Sequence, residues 1–199
     1  MDLTKTFAPN FLLNKTALIT GGHRGMLYIM AQELMRFGAK VAIMSRNEEN
    51  IKQAVDKLNA FSNSTNCIGL KCDVRNYKDV EKAVDIVASK FERIDIVING
   101  AAGNFLAPFD KLSSNGFRTV FEIDTLGTFN VSKAVYERSM KKTGGNIVNI
   151  STTLHYNSSA MVTHAVAAKA AVDAITRNLA MELVIFIRIF QKIRKFFLF

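Results

Sequence analysis

The chain has 199 residues, 49% of them hydrophobic and 22% charged, which suffices for one domain with a substantial buried core. Such a composition excludes a disordered segment, a collagen and a disulfide-stapled miniature. The formal charge of +9, from 26 Lys and Arg against 17 Asp and Glu, suits a phosphate-bearing ligand and equally suits solubility, so it names no partner; no nucleic-acid partner and no metal site are expected.

Short β-rich runs near 17–20, 40–45, 67–71, 94–98 and 146–151 each precede a longer helical pattern, and this rhythm predicts βαβ units. Apolar strands such as Ile96-Val97-Ile98 lack polar alternation, as strands covered by helices on both faces do. The expected fold is therefore α/β, a doubly wound parallel sheet of Rossmann type with helices on both faces. With no repeat or linker, residues 1–183 read as one domain.

The first run enters Gly21-Gly22-His23-Arg24-Gly25-Met26 directly. Glycines there let the main chain approach a diphosphate that the helix N-terminus attracts, so these six residues are candidates for cofactor binding. The second run ends in Ser45-Arg46, where an acid would select NAD. Arg46 with Arg24 selects a 2′-phosphate instead, hence NADPH, unless both are solvated surface charges. At the third run's end Asp73 either reaches the adenine amino group or caps the next helix.

Cys67 and Cys72 lie five apart along what reads as one strand and so point to opposite faces, which leaves them reduced and implies an intracellular home. The acid in Met1-Asp2-Leu3-Thr4 and the short run Phe11-Leu12-Leu13 argue against a signal peptide. In 184–199, Arg188, Lys192, Arg194 and Lys195 interrupt the apolar run, so no transmembrane span is expected.

Together Thr20-Gly21-Gly22-x-x-Gly25, Cys72-Asp73-Val74, Asn99-Gly100-Ala101-Ala102-Gly103 and Ala168-Lys169-Ala170-Ala171 resemble the short-chain dehydrogenase/reductase family. More narrowly, Ala101-Ala102-Gly103-Asn104-Phe105 and the run from Ile123-Asp124 to Val131-Ser132 resemble its peroxisomal 2,4-dienoyl-CoA reductases. That resemblance implies NADPH-dependent reduction of a 2,4-dienoyl-CoA to a 3-enoyl-CoA in unsaturated fatty acid β-oxidation, a fatty acyl-CoA substrate, a homo-oligomer and a peroxisomal location.

Most family members carry a tyrosine four residues before the lysine, where this chain has Ala165, and an asparagine where it has Asp124. A phenol that protonates a ketone oxygen is thus missing. For a dienoyl thioester the resemblance implies Asp124 and Lys169 as the catalytic pair, with Lys169 also gripping the nicotinamide ribose. It further implies that Asn99 serves the cofactor, that Arg75 meets a CoA phosphate, that Phe105 lines the acyl slot, and that Ser113, Ser114 and Asn115 bond the pantetheine or thioester. Thr152 matches a serine position of relatives and would orient the carbonyl. Tyr156 is a substitute phenol, and His155 and His164 are expected in a loop and at a helix start. The alternatives are structural: Arg75 a surface charge, Phe105 core, Ser113 and Ser114 a cap.

Two departures stand out. Leu27 occupies the turn's third glycine position and should push the helix or the diphosphate away. After Leu183 the family continues into strand six and beyond, whereas 184–199 read as a basic, apolar tail unrelated to the fold. The expectation is a C-terminally truncated chain whose fifth strand is an open edge. The rival is an amphipathic membrane-surface helix carrying Arg188, Lys192 and Lys195 on one face; a catalytically inactive fragment or a carbonyl or 3-oxoacyl reductase are further alternatives. Phe197-Leu198-Phe199 does not resemble a peroxisomal S-K-L ending, which leaves a cytosolic home for this chain.

Overall fold

The computed structural model describes residues 7–184 and 187–194. Strands β1 (Thr16–Thr20), β2 (Lys40–Ser45), β3 (Cys67–Lys71), β4 (Ile96–Asn99), β5 (Gly145–Thr152) and β6 (Ile187–Arg194) form one sheet. Their order is β3-β2-β1-β4-β5-β6, and every neighbouring pair is parallel. Helices α1 (Gly25–Arg36), α2 (Glu48–Ser62) and α3 (Tyr77–Phe91) cross between the first four strands. After β4 come α4 (Ser114–Phe121), α5 (Gly127–Val135) and the short α6 (Lys141–Thr143); α7 (Leu154–Asn157) and α8 (Thr163–Glu182) follow β5.

Side chains alternate across the sheet and build two cores. Ala17, Ile19, Ile43, Ile98 and Ile150 pack with Ala31, Met35 and Leu58 beneath α1 and α2. Leu18, Met44, Val97 and Ile147 face the other way and pack with Val84 of α3 and Val131 of α5. Burial on both faces explains the uninterrupted apolar strands, and each fully buried Val, Leu, Ile or Met side chain contributes about 1.5–3 kcal/mol. Cys67 and Cys72 fall in opposite cores, both as free thiols; β3 ends at Lys71, so Cys72 lies just beyond the strand.

The end of the chain departs from expectation. Residues 187–194 are no unrelated tail: they add the sixth strand, in register with β5 from Gly145↔Ile187 to Thr152↔Arg194. β5 is therefore not an open edge. Ile187 and Ile189 pack on the core while Arg188 between them is exposed, and that period of two suits a strand; the helical face proposed for Arg188 and Lys192 does not form. Lys195, the ending Phe197-Leu198-Phe199 and the opening Met1-Asp2-Leu3-Thr4 lie outside the described residues. Among the described residues no helix is long and apolar enough to cross a membrane.

β1 pairs with β2 on one side and with β4 on the other. The connection from β1 runs to β2 and that from β4 runs to β5, in opposite directions across the sheet, which opens a crevice between β1 and β4 at the strands' C-terminal ends, the usual ligand position in such folds.

Candidate active site

A cavity of about 400 Å³ fills that crevice. Gly21, His23, Arg24, Gly25 and Met26 line it after β1, Met44, Ser45 and Arg46 at β2, and Cys72 and Asp73 after β3. Gly100 to Asn104 continue the wall after β4, and Ile150, Ser151 and Thr152 complete it from β5. Asp124, Ala165 and Lys169 enter from the helices.

The phosphate-binding end follows from what α1 lacks. In α2 and α3 the side chains of Asn47 and Asn76 cap the first N–H groups, accepting from Asn50 and Lys78. α1 begins at Gly25 with Arg24 in the capping position and no side-chain cap. Its first N–H groups therefore keep their partial positive charge at the cavity wall. Gly21 and Gly25 have positive φ, 76° and 60°, which glycine adopts without the cost other residues bear. A diphosphate fits this donor set, and nicotinamide dinucleotides are the ligands such folds hold. Burial and the Arg24 charge lower the His23 pKa.

Asp124 owes its place to a helical irregularity. Between α4 and α5 the chain widens into a π-helical turn, Glu122–Leu126, a distortion frequent at functional sites. The turn carries Asp124 inward to 1% exposure. Its Oδ1 accepts the Gly103 N–H at 2.8 Å, and its Oδ2 lies 3.0 Å from Lys169 Nζ. Thr125 anchors the turn by donating to the Ala168 carbonyl of α8. Lys169 also donates to the Ile150 carbonyl at 2.9 Å, so two of its three hydrogen-bond donors are committed within the protein. Burial raises the Asp124 pKa above the ordinary aspartate value; Lys169 and the Gly103 N–H oppose that rise without cancelling it. The result is a carboxyl that takes up a proton more readily than a solvated one, beside a fixed cation.

Other expected site residues stand apart from the cavity. Gly22 packs against β2, where a Cβ would come within 2.7 Å of Ile43. Asn99 is buried and donates to Ser132 and Asn149 at 3.0 and 2.9 Å; Asn149 in turn donates to Thr176 of α8. This side chain ties the sheet to its helices and does not line the cavity. Arg75 turns back on Asp73, its Nε donating to Oδ1 at 3.0 Å, and lines a separate recess with Asn76, Tyr77 and Glu122. The pairing lowers the Asp73 pKa. Asp73 is no helix cap, because Asn76 caps α3.

Ser113 caps α4, accepting the Gly116 N–H at 3.0 Å, and Ser114 and Asn115 open that helix. Phe105 is half exposed and stacks on His164, centroids 4.3 Å apart, instead of lining the cavity. Thr152 lines the cavity, with its hydroxyl accepting the Leu154 N–H at 3.3 Å. Tyr156 is largely exposed on α7 and lies outside the cavity wall. His155 falls in the same short helix, its side chain outside those described, and His164 is the second residue of α8.

Two supports escaped sequence reasoning. The Thr20 hydroxyl accepts both the Gly100 and the Ala101 N–H at 2.9 Å, clamping the loop after β4 to the end of β1. Ser151 donates to Asp173 at 2.5 Å under the Lys169 turn of α8. The signal for Asp173 was its position one helical turn after Lys169, on the same face.

Over residues 15–190 the chain matches the model of the family described as short chain dehydrogenase. It belongs to the short-chain dehydrogenase family. A peroxisomal 2,4-dienoyl-CoA reductase of Danio rerio, (3E)-enoyl-CoA-producing, is 48% identical over 179 residues, 90% of this chain and 59% of that protein. Its Arabidopsis thaliana counterpart is 43% identical over 184 residues, 88% of this chain and 61% of that protein. Among solved structures, a short chain dehydrogenase from Bacillus anthracis superposes with a TM-score of 0.81 at 38% identity, covering 85% of this chain and 70% of that one. An NAD+-bound xylitol dehydrogenase gives 0.88 at 25% identity, covering 93% and 71%. The chain thus spans about three fifths of the length of these curated relatives.

Proposed function

We propose that this chain carries the machinery of an NADPH-dependent 2,4-dienoyl-CoA reductase, forming a 3-enoyl-CoA during unsaturated fatty acid β-oxidation. The carrying observation is the buried Asp124–Lys169 pair in a cavity where Ala165 leaves no phenol. The names of the relatives from Danio rerio and Arabidopsis thaliana support the substrate class and a peroxisomal location.

When bound, the dinucleotide supplies hydride. The uncapped start of α1 holds its diphosphate, and Arg24 and Arg46 at the cavity wall hold the 2′-phosphate, a pairing that charge-assisted bonds favour. Lys169 directs its remaining donor to the ribose and keeps positive charge beside the thioester, where negative charge develops as the diene accepts hydride. Asp124 passes on the proton destined for carbon, directly or through one water, and burial, which raises its pKa, favours that role. Thr152 orients the thioester carbonyl. In the whole protein the acyl-CoA and a second subunit complete the assembly.

The reaction is tested by following NADPH oxidation with a 2,4-dienoyl-CoA, in this chain and in a version extended by the C-terminal third of a relative. Dienoyl-dependent oxidation that disappears in Asp124→Asn supports the proposal. Turnover of a ketone in place of the dienoyl-CoA, or activity in neither protein, refutes it.

A further inference from the structure

Leu27 and Gly100 meet across the cavity floor. Were Gly100 to carry a Cβ, that atom would lie 2.4 Å from both Cδ1 and Cδ2 of Leu27, far inside van der Waals contact. At Gly21 a Cβ would stand 3.1 Å from the same Cδ1. The leucine in the third position of the glycine turn therefore points its side chain over the start of the loop after β4. It fills the volume that Gly100 leaves open.

Backbone geometry gives no other reason for glycine at 100. Gly21, Gly25, Gly38 and Gly144 have positive φ, and Gly100 is not among them. Nor can position 100 retreat, because its N–H and that of Ala101 both bond Thr20 at 2.9 Å. A side chain at 100 would have to displace Leu27, which is the third residue of α1 and lines the cavity. Displacement would move the helix start or turn the isobutyl group into the cavity.

We propose that Leu27 and Gly100 are a matched positioning pair: Gly100 receives the Leu27 side chain, and so keeps the uncapped N–H groups of α1 at the height a dinucleotide's diphosphate requires. The pair explains how this turn accommodates leucine without lifting the helix. It rests on the dinucleotide reading of the cavity for its ligand effect, but not for its packing.

The test is a cycle of four proteins, the parent, Gly100→Ala, Leu27→Ala and the double variant, each measured for its melting midpoint and, by calorimetry, for NADPH affinity. Gly100→Ala lowers the midpoint by roughly 4–8 °C, the scale of an overpacked site in a chain of this size. It weakens NADPH binding about tenfold or more as the turn shifts. In the double variant the smaller residue 27 restores most of both losses, so the effects are strongly non-additive. If Gly100→Ala does not fold, the double variant does. Additive midpoints, or a double variant that also fails to fold, overturn the pair. Non-additive midpoints with parent-like NADPH affinity in Gly100→Ala overturn its positioning role. Absence of NADPH binding in the parent overturns the positioning role together with the cofactor reading, while the midpoints alone still decide the packing.

Discussion

Asp124 and Lys169 sit 45 positions apart in sequence, yet their carboxylate oxygen and ammonium nitrogen are 3.0 Å apart. The carboxyl is almost wholly buried and the ammonium nearly so. The two differ in what they hold: Asp124 fixes the loop through Gly103, and Lys169 fixes the end of β5 through Ile150. Asp124→Asn keeps an acceptor for the Gly103 N–H but cannot release a proton. Steady-state kinetics of the proposed reductase reaction should show a fall of about 10²- to 10⁴-fold in turnover with the fold retained. Lys169→Met strands the carboxylate, and denaturant unfolding should show a loss of about 3 kcal/mol, the cost of breaking a buried pair from one side.

Stability near Asp124 should depend on pH with a definite sign. Its pKa in the folded chain lies above the ordinary value of 3.8, so the native state binds this proton more readily than the unfolded chain. The stabilisation from protonation is complete below 3.8 and is lost as pH rises through Asp124's own, higher value. Melting midpoints across that window should fall for the parent relative to Asp124→Asn. A difference that is flat, or that runs the other way, contradicts the raised pKa.

The two thiols should be inert. Burial pushes Cys67 up to about 12, and burial with the neighbouring Asp79 and Asp73 charges does the same for Cys72. At pH 8 the thiolate fraction is therefore minute. Native protein should resist alkylation over hours, and unfolded protein should take up label at both positions, as mass spectrometry would read.

Thr20 should be worth more than its place at a strand end suggests. Thr20→Val preserves shape but removes the acceptor of two N–H groups. A loss of about 1–2 kcal/mol is expected, seen as a midpoint lowered by roughly 3–6 °C.

Local patterning made much of this molecule legible. The apolar runs, the glycine turn and the helices between them follow from neighbours in the chain, and so did the sheet through β5. β6 is hidden in the sequence because basic residues interrupt its apolar run, so that 184–199 read as a tail unrelated to the fold; the alternation of Ile187, Arg188 and Ile189 holds the strand signal. The pairing of Asp124 with Lys169 is legible only through resemblance, because no periodicity announces the π-helical turn that buries the carboxyl. Arg75, Phe105 and Ser113 were set aside from the cavity by partners of their own: Asp73 two residues away, His164 on a distant helix, and the N–H of Gly116. Such competition between ligand and protein partners is a property of the folded arrangement.

The most direct test of the account is a calorimetric titration of the chain with NADPH and with NADH, repeated on Arg46→Ala. NADPH is expected to bind at least about tenfold tighter, the scale of one charge-assisted contact to the 2′-phosphate, and Arg46→Ala to remove most of that difference. Equal affinity for the two dinucleotides, or binding of neither, would contradict it.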